Sequence, residues 1–212
     1  MLRDLTLKIE YNSENDDILR DFFVPCFSAC TTFDRCVDYF ALKNLVSLVD
    51  GFGDFAAGNV RMRLIVGHKF GIRDVNTLSK IFLGTYSKKG SDGIALDRIM
   101  GMVQQKRVRI RIAVPASDES SNVFNERLGI FGDDSGNMVA FSGTLVYSPE
   151  GEREFETVDV FTSWNDPERV ARKRRNFQYL WEDKAKSVHI HEFADADRRG
   201  LLKYSSEWAV HR

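Results

Sequence analysis

From Arg107 to Val114 the chain alternates without a break. Val108, Ile110, Ile112 and Val114 fall on one side, and Arg107, Arg109 and Arg111 on the other. A side-chain period of two places these sets on opposite faces of a strand. The chain must therefore build a sheet with one buried face and one face fit for charge. Residues 60–66 repeat the pattern, with Met62, Leu64 and Val66 alternating with Arg61, Arg63 and Ile65.

Helical spacing lies between these strands. Residues 16–30 read as a helix that Asp16 or Asp17 caps, with Ile18, Leu19, Phe22, Phe23 and Cys26 on one side and Pro25 as a kink or division. Residues 41–55 present Leu42, Leu45, Val46, Leu48 and Val49, and Gly51, Gly53 and Gly58 loosen the end. Asp74 is expected to cap a helix through Phe82, after a loop at Gly67, His68 and Lys69. Residues 87–93 read as a loop, 94–105 as a helix and 35–40 as a short strand. Asn165, Asp166, Pro167 and Glu168 open a helix that runs to about residue 183. Strands are expected over 124–131, 138–141, 157–161 and 187–193. Strands alternating with helices indicate an α/β domain with a mixed sheet.

A chain of 212 residues, 43% of them hydrophobic, can fill one core, so a single domain over 1–212 is expected. The net charge of −1 neither demands nor forbids nucleic acid. No apolar run reaches the roughly 18 residues of a membrane helix, and Met1-Leu2-Arg3-Asp4 does not open a signal peptide. A cytoplasmic protein without a membrane partner or cofactor is the expectation. Cys26, Cys30 and Cys36 fit neither a disulfide framework nor zinc spacing, and read as buried thiols.

The segment carrying most chemical information is Phe124-Asn125-Glu126-Arg127-Leu128-Gly129-Ile130-Phe131, followed by a turn at 132–137 and by Val139-Ala140-Phe141-Ser142-Gly143-Thr144. It resembles the phospholipase D-like superfamily, in the motif region 123–164. There the run reads Phe-His-x-Lys, strand, turn, strand, Gly-Ser. Residues 21–28, 33–35, 39–40, 63–67, 155–164 and 177–181 extend the resemblance to roughly 10–195. They are similar to a subgroup found beside helicases in prokaryotic restriction and phage-defence loci. The resemblance implies a mixed sheet flanked by helices on both faces. It also implies two motif copies brought together in a homodimer or heterodimer, with the motif strand and Gly143 near the dimer face.

The departures shape the expected function. Asn125 stands at the position of the nucleophilic histidine, and an amide cannot attack phosphorus. Arg127 stands for the lysine and can still grip phosphate bidentately. Thr144 keeps a hydroxyl after Gly143, Val146 replaces an asparagine, and Glu154 or Glu156 stands for the late polar residue. The motif is degenerate. The first expectation is a nuclease-fold subunit that binds nucleic-acid phosphates, DNA or RNA, or a helicase or nuclease partner, without cutting. The second is a phosphodiesterase completed by a partner chain or by His68. The third is a structural assembly module.

Other residues carry two readings each. His68 follows a strand where α/β sites gather, or is an ordinary loop histidine. His189 and His191 share a strand face but lack a third metal ligand within sequence reach. Arg107, Arg109 and Arg111 either track a phosphate backbone or pair with carboxylates. Arg172 and Lys173, with Arg169, contact nucleic acid or form the solvated exterior of a helix. The aromatic residues Phe33, Tyr39, Phe40, Phe155, Phe161, Trp164, Phe177 and Trp181 read first as core.

Overall fold

A computed structural model describes residues 1–51, 60–87, 91–117, 124–143 and 155–205. Eight strands form one mixed sheet in the order β1-β8-β7-β6-β2-β3-β5-β9. They are β1 (Glu10–Asn12), β2 (Thr32–Val37), β3 (Arg61–Gly67), β5 (Val108–Pro115), β6 (Leu128–Gly132), β7 (Met138–Ser142), β8 (Thr157–Thr162) and β9 (Val188–Glu192). β2, β3 and β5 are parallel, and every other pairing is antiparallel. A second sheet pairs β4 (Lys69–Gly71) with β10 (Lys203–Ser205) in parallel.

The faces are covered unequally. On one pack α1 (Val24–Ala29), α2 (Leu42–Gly51), α3 (Ile72–Phe82), α4 (Ser91–Gln104) and α6 (Phe193–Arg198), and the larger core lies beneath them. On the other lies α5 (Pro167–Trp181), whose Val170, Phe177 and Trp181 cover Cys36, Ile65, Ala113 and Ile130. The expected mixed sheet with helices on both faces is present.

Several local expectations change. A π-helical turn at Leu19–Phe23 precedes α1 instead of a kinked α-helix, and Pro25 falls in the first turn of α1, where a missing N–H is tolerated. Asp17 does cap the entry, since its Oδ1 accepts from the Arg20 N–H at 3.1 Å. Asp74 does not cap its own helix. Gly71 takes that place, and Asp74 Oδ2 instead accepts the Leu42 N–H at 3.2 Å, closing the start of α2. Burial raises the Asp74 pKa and the Leu42 bond opposes that rise. The expected loop at 67–69 gives way to β4 at Lys69, because β10 supplies a backbone partner that local sequence cannot reveal. The short strand expected over 35–40 is β2, three residues earlier at each end. The strand expected over 124–131 starts only at Leu128, since β7 ends opposite it at Ser142. Parts of the expected segments 41–55 and 87–93, with Gly53 and Gly58, lie outside the described residues; the helix expected from Ile94 begins at Ser91, so residues 91–93 are helical and not loop.

The expected thiols Cys26, Cys30 and Cys36 are buried, and burial raises all three pKa values. Of the aromatics assigned to the core, Phe33, Phe40, Phe177 and Trp181 are buried, whereas Phe155 is exposed. Six phenylalanines instead build the centre. Phe33 stacks on Phe131 at 4.7 Å, Phe27 meets Phe131 edge-on at 4.9 Å, and Phe22 and Phe23 meet Phe141 edge-on at 5.4 and 5.2 Å. Rings at these separations attract beyond their burial. Phe131→Ala should lower the unfolding free energy by about 3–5 kcal/mol, measured by urea denaturation. Phe155→Ala should change it by less than about 0.5 kcal/mol.

Candidate functional site

β2, β3 and β5 share a carboxyl edge, and the rung joining Leu128 to Ser142 lies at that edge. Asp38 leaves β2 there. Its backbone passes so close to Gly67 that a β-carbon at 67 would lie 2.0 Å from the Asp38 carbonyl oxygen. Arg127, just before β6, reaches across to it, with Nη2 donating to Asp38 Oδ2 at 2.9 Å. The two side chains are 45% and 24% exposed, so the ion pair is open to solvent and weak. Asn125 and Arg127 lie on the exposed side of the extended segment, while Phe124 and Glu126 turn partly inward.

Beneath this pair lies a residue that sequence reasoning did not assign to the site. Arg35 pairs with Gly129 across β2 and β6, and Gly129 pairs with Phe141 across β6 and β7. A β-carbon at Gly129 would come within 2.1 Å of the Phe141 ring. Its absence lets the ring lie across the strand, and the Arg35 guanidinium stands 4.8 Å from the ring centroid. Arg35 is only 4% exposed. Its Nη2 donates to the Gly143 carbonyl at 2.8 Å, and its Nη1 is buried without a hydrogen-bond partner. Burial pulls its pKa down to about 10, against weak support from Cys36, Glu156 and Asp38. It therefore stays charged at neutral pH, with no carboxylate in ion-pair contact among the described residues.

Gly143 joins the two arginines. Its N–H donates to the Arg127 carbonyl at 3.1 Å while its own carbonyl holds Arg35. Its φ of +146° suits glycine, and a β-carbon there would lie 2.6 Å from the Thr157 carbonyl. Lys173 also turns toward this edge, donating from Nζ to Ser142 Oγ at 2.9 Å, so it does not belong to a purely solvated helix exterior. Glu156 enters β8 at the same edge, and its N–H donates to Ser13 Oγ at 2.9 Å. Thr144, Val146 and Glu154 lie outside the described residues. One signal in the sequence marks Arg35: it has the same strand parity as Phe33, so a charge falls in phase with the buried face.

Of the other expected site residues, His68 follows β3 at the same carboxyl edge, next to the Gly67 that meets Asp38, and is buried. Burial lowers its pKa, and the charges of Lys203 and Lys69 push the same way, so its surroundings belong to the β4–β10 pair. β9, which carries His189 and His191, is separated from β6 by three strands, about 19 Å at the usual strand spacing. Those rings stand 3.8 Å from Asp183 and 3.9 Å from Asp195. Among the described residues no group of three or more histidine, cysteine or carboxylate side chains is placed to hold a metal, and no helix is long and apolar enough to cross a membrane.

Arg109 and Arg111 take the carboxylate-paired setting. Both contact Glu192 at 2.7 Å, and their guanidiniums stand 5.1 and 4.3 Å from the Trp181 ring. Arg111 also donates to the Trp181 carbonyl. Arg63 joins this layer through Asp34, Phe177 and Trp181. Arg172 remains exposed on α5.

No family model and no curated protein matches this sequence. Solved structures do match. NucT from Helicobacter pylori is 13% identical, with a TM-score of 0.47 over 85% of this chain and 98% of that one. Phosphatidylserine synthase from Haemophilus influenzae Rd KW20 is 11% identical, with a TM-score of 0.49 over 88% of this chain and 40% of that one. TrmBL2, an archaeal chromatin protein, is 14% identical, with a TM-score of 0.45 over 85% and 54%. The chain thus spans nearly all of NucT but about half or less of the other two. The likeness is one of chain path, and no residue role follows from it.

His68 gives the protein a pH signature. Its folded pKa is depressed, so below the ordinary value of about 6.5 the unfolded chain binds the proton more readily. The stability it contributes is present above that value and lost as pH falls through the window beneath it, at no more than about 1.4 kcal/mol per pH unit. Urea midpoints at pH 7.5 and 5.5 should therefore diverge in the parent protein and converge in His68→Gln.

Proposed function

We propose that this protein is a phospholipase D-like subunit that recognises phosphodiesters and does not cut them, acting as one domain in a dimer with a second copy or a related chain. The observation that carries the reading is the buried guanidinium of Arg35, with its Nη1 unpartnered, beneath an exposed Arg127 and a neutral Asn125. An incoming phosphodiester displaces Asp38 from Arg127, since its monoanionic oxygens compete directly for the same N–H groups. Arg35 adds positive potential from below, in surroundings where water screens it little. The Asn125 amide, and the hydroxyl of Thr144, offer neutral hydrogen bonds. Glu156 and Lys173 shape the field at the rim.

No imidazole occupies position 125, so phosphorus meets no nucleophile there and the ester persists. The wider setting rests on the sequence resemblance. It is an anti-phage defence or restriction complex in the cytoplasm, with a helicase or nuclease as partner and DNA or RNA as the ligand.

Bis-p-nitrophenyl phosphate tests this directly, because it is both chromogenic and small enough to report the edge site alone. Titration calorimetry should detect binding to the parent protein, and absorbance should detect no turnover with or without divalent metal. Arg127→Ala and Arg35→Met should each weaken binding about ten- to a hundredfold, the usual cost of a charge-assisted bond. Arg35→Met keeps the volume and removes a buried charge, so it should not unfold the protein. Turnover that disappears in Asn125→Ala would overturn the proposal.

A further inference from the structure

The other end of the sheet holds a groove of about 1000 Å³ that the edge site does not use. It opens where α5 stops covering the amino-terminal halves of β2, β3 and β5, between the β6–β7 turn and the end of α4. Its walls carry six cationic side chains and three carboxylates, a surplus of three positive charges on a chain whose net charge is −1.

The carboxylates are mostly spent on the protein itself. Asp34 accepts both N–H groups of Arg63, at 2.7 and 2.6 Å. Asp133 accepts the backbone N–H groups of Leu2, Ser135 and Asn137 at 2.9–3.0 Å. Three of the cations have no ion pair or side-chain hydrogen bond among the described residues: Arg61 at the start of β3, Lys106 before β5 and Arg174 on α5, all exposed. They come from three separate elements around one opening.

We infer that this groove binds the phosphate backbone of duplex DNA, as a surface distinct from the carboxyl-edge site and independent of Arg35 and Arg127. The lining decides between duplex and single strand. Single strands are held largely by stacking of bases on aromatic faces. Among the described lining residues the one aromatic is Phe82, and its ring is already stacked on Phe193 at 4.8 Å. The groove thus offers positive charge, which suits phosphates, and among its described lining residues no free platform for bases.

Fluorescence anisotropy with a labelled duplex of about 30 base pairs tests this, with binding followed across a salt series. The variant carries Arg61→Ser, Lys106→Asn and Arg174→Ser together. Asparagine is chosen at 106 because that residue has φ of +57°. Each lost phosphate contact removes about 0.9 from the slope of log affinity against log salt. The triple variant should therefore lose two to three units of slope and bind at least about tenfold more weakly, with an unchanged urea midpoint. The same loss should be seen in an Arg35→Met, Arg127→Ala background, and binding of bis-p-nitrophenyl phosphate should not change. Absence of duplex binding by the parent protein, or a triple variant that binds as the parent does, overturns the inference. So does tighter binding of single strands than of duplex, or displacement by polyglutamate as effective as by unlabelled DNA.

Discussion

Burying a guanidinium without a counter-ion costs several kcal/mol even after local relaxation, and among the described residues Arg35 has no carboxylate in contact. What offsets the cost is a set of weak partners arranged around one rung of the sheet. The Phe141 ring presents its electron-rich face to the cation, the Gly143 carbonyl accepts one N–H, and Glu156 and Asp38 act through space. The first two each depend on a glycine. Gly129 gives the ring its place, and Gly143 adopts the backbone angle that turns its carbonyl inward. A methionine would fill the same space at lower cost.

The unequal covering of the sheet explains where polar chemistry sits. Among the described residues, five α-helices pack on one face and one crosses the other. On the sparsely covered face Arg63, Arg109 and Arg111 insert between strand and helix, and Trp181 lies against their guanidinium planes. These arginines lay their aliphatic stems on apolar surface and their planes on an aromatic ring. The alternation that opens the sequence reading is therefore a packing device in its upper part. It becomes a groove wall only where α5 no longer reaches.

Periodicity made much of this fold legible. Strand parity in Val108–Val114 and Met62–Val66, and apolar spacing in α3 and α5, follow from which side chains must leave water. The failures share a cause. β4 and β10 are three residues each and exist only because they pair with each other across the chain. The role of Asp74 depends on α2 arriving beside it, and the start of β6 on where β7 ends. For the site, the motif positions Asn125 and Arg127 were legible from the pattern 124–144. Arg35 and Asp38 were not, because the sequence separates them from Arg127 by about ninety residues and only the β2–β6 pairing brings them together.

Phe141 belongs at once to the aromatic interior and to the floor of the edge site. One side of the ring meets Phe22 and Phe23, and the guanidinium of Arg35 rests over it. No flexible linker separates these surroundings, since close-packed interiors transmit displacement instead of absorbing it. An anion that tugged on Arg35 would alter how freely this ring turns. The hydrophobic centre of the molecule would then register occupancy at its rim without any change of backbone shape.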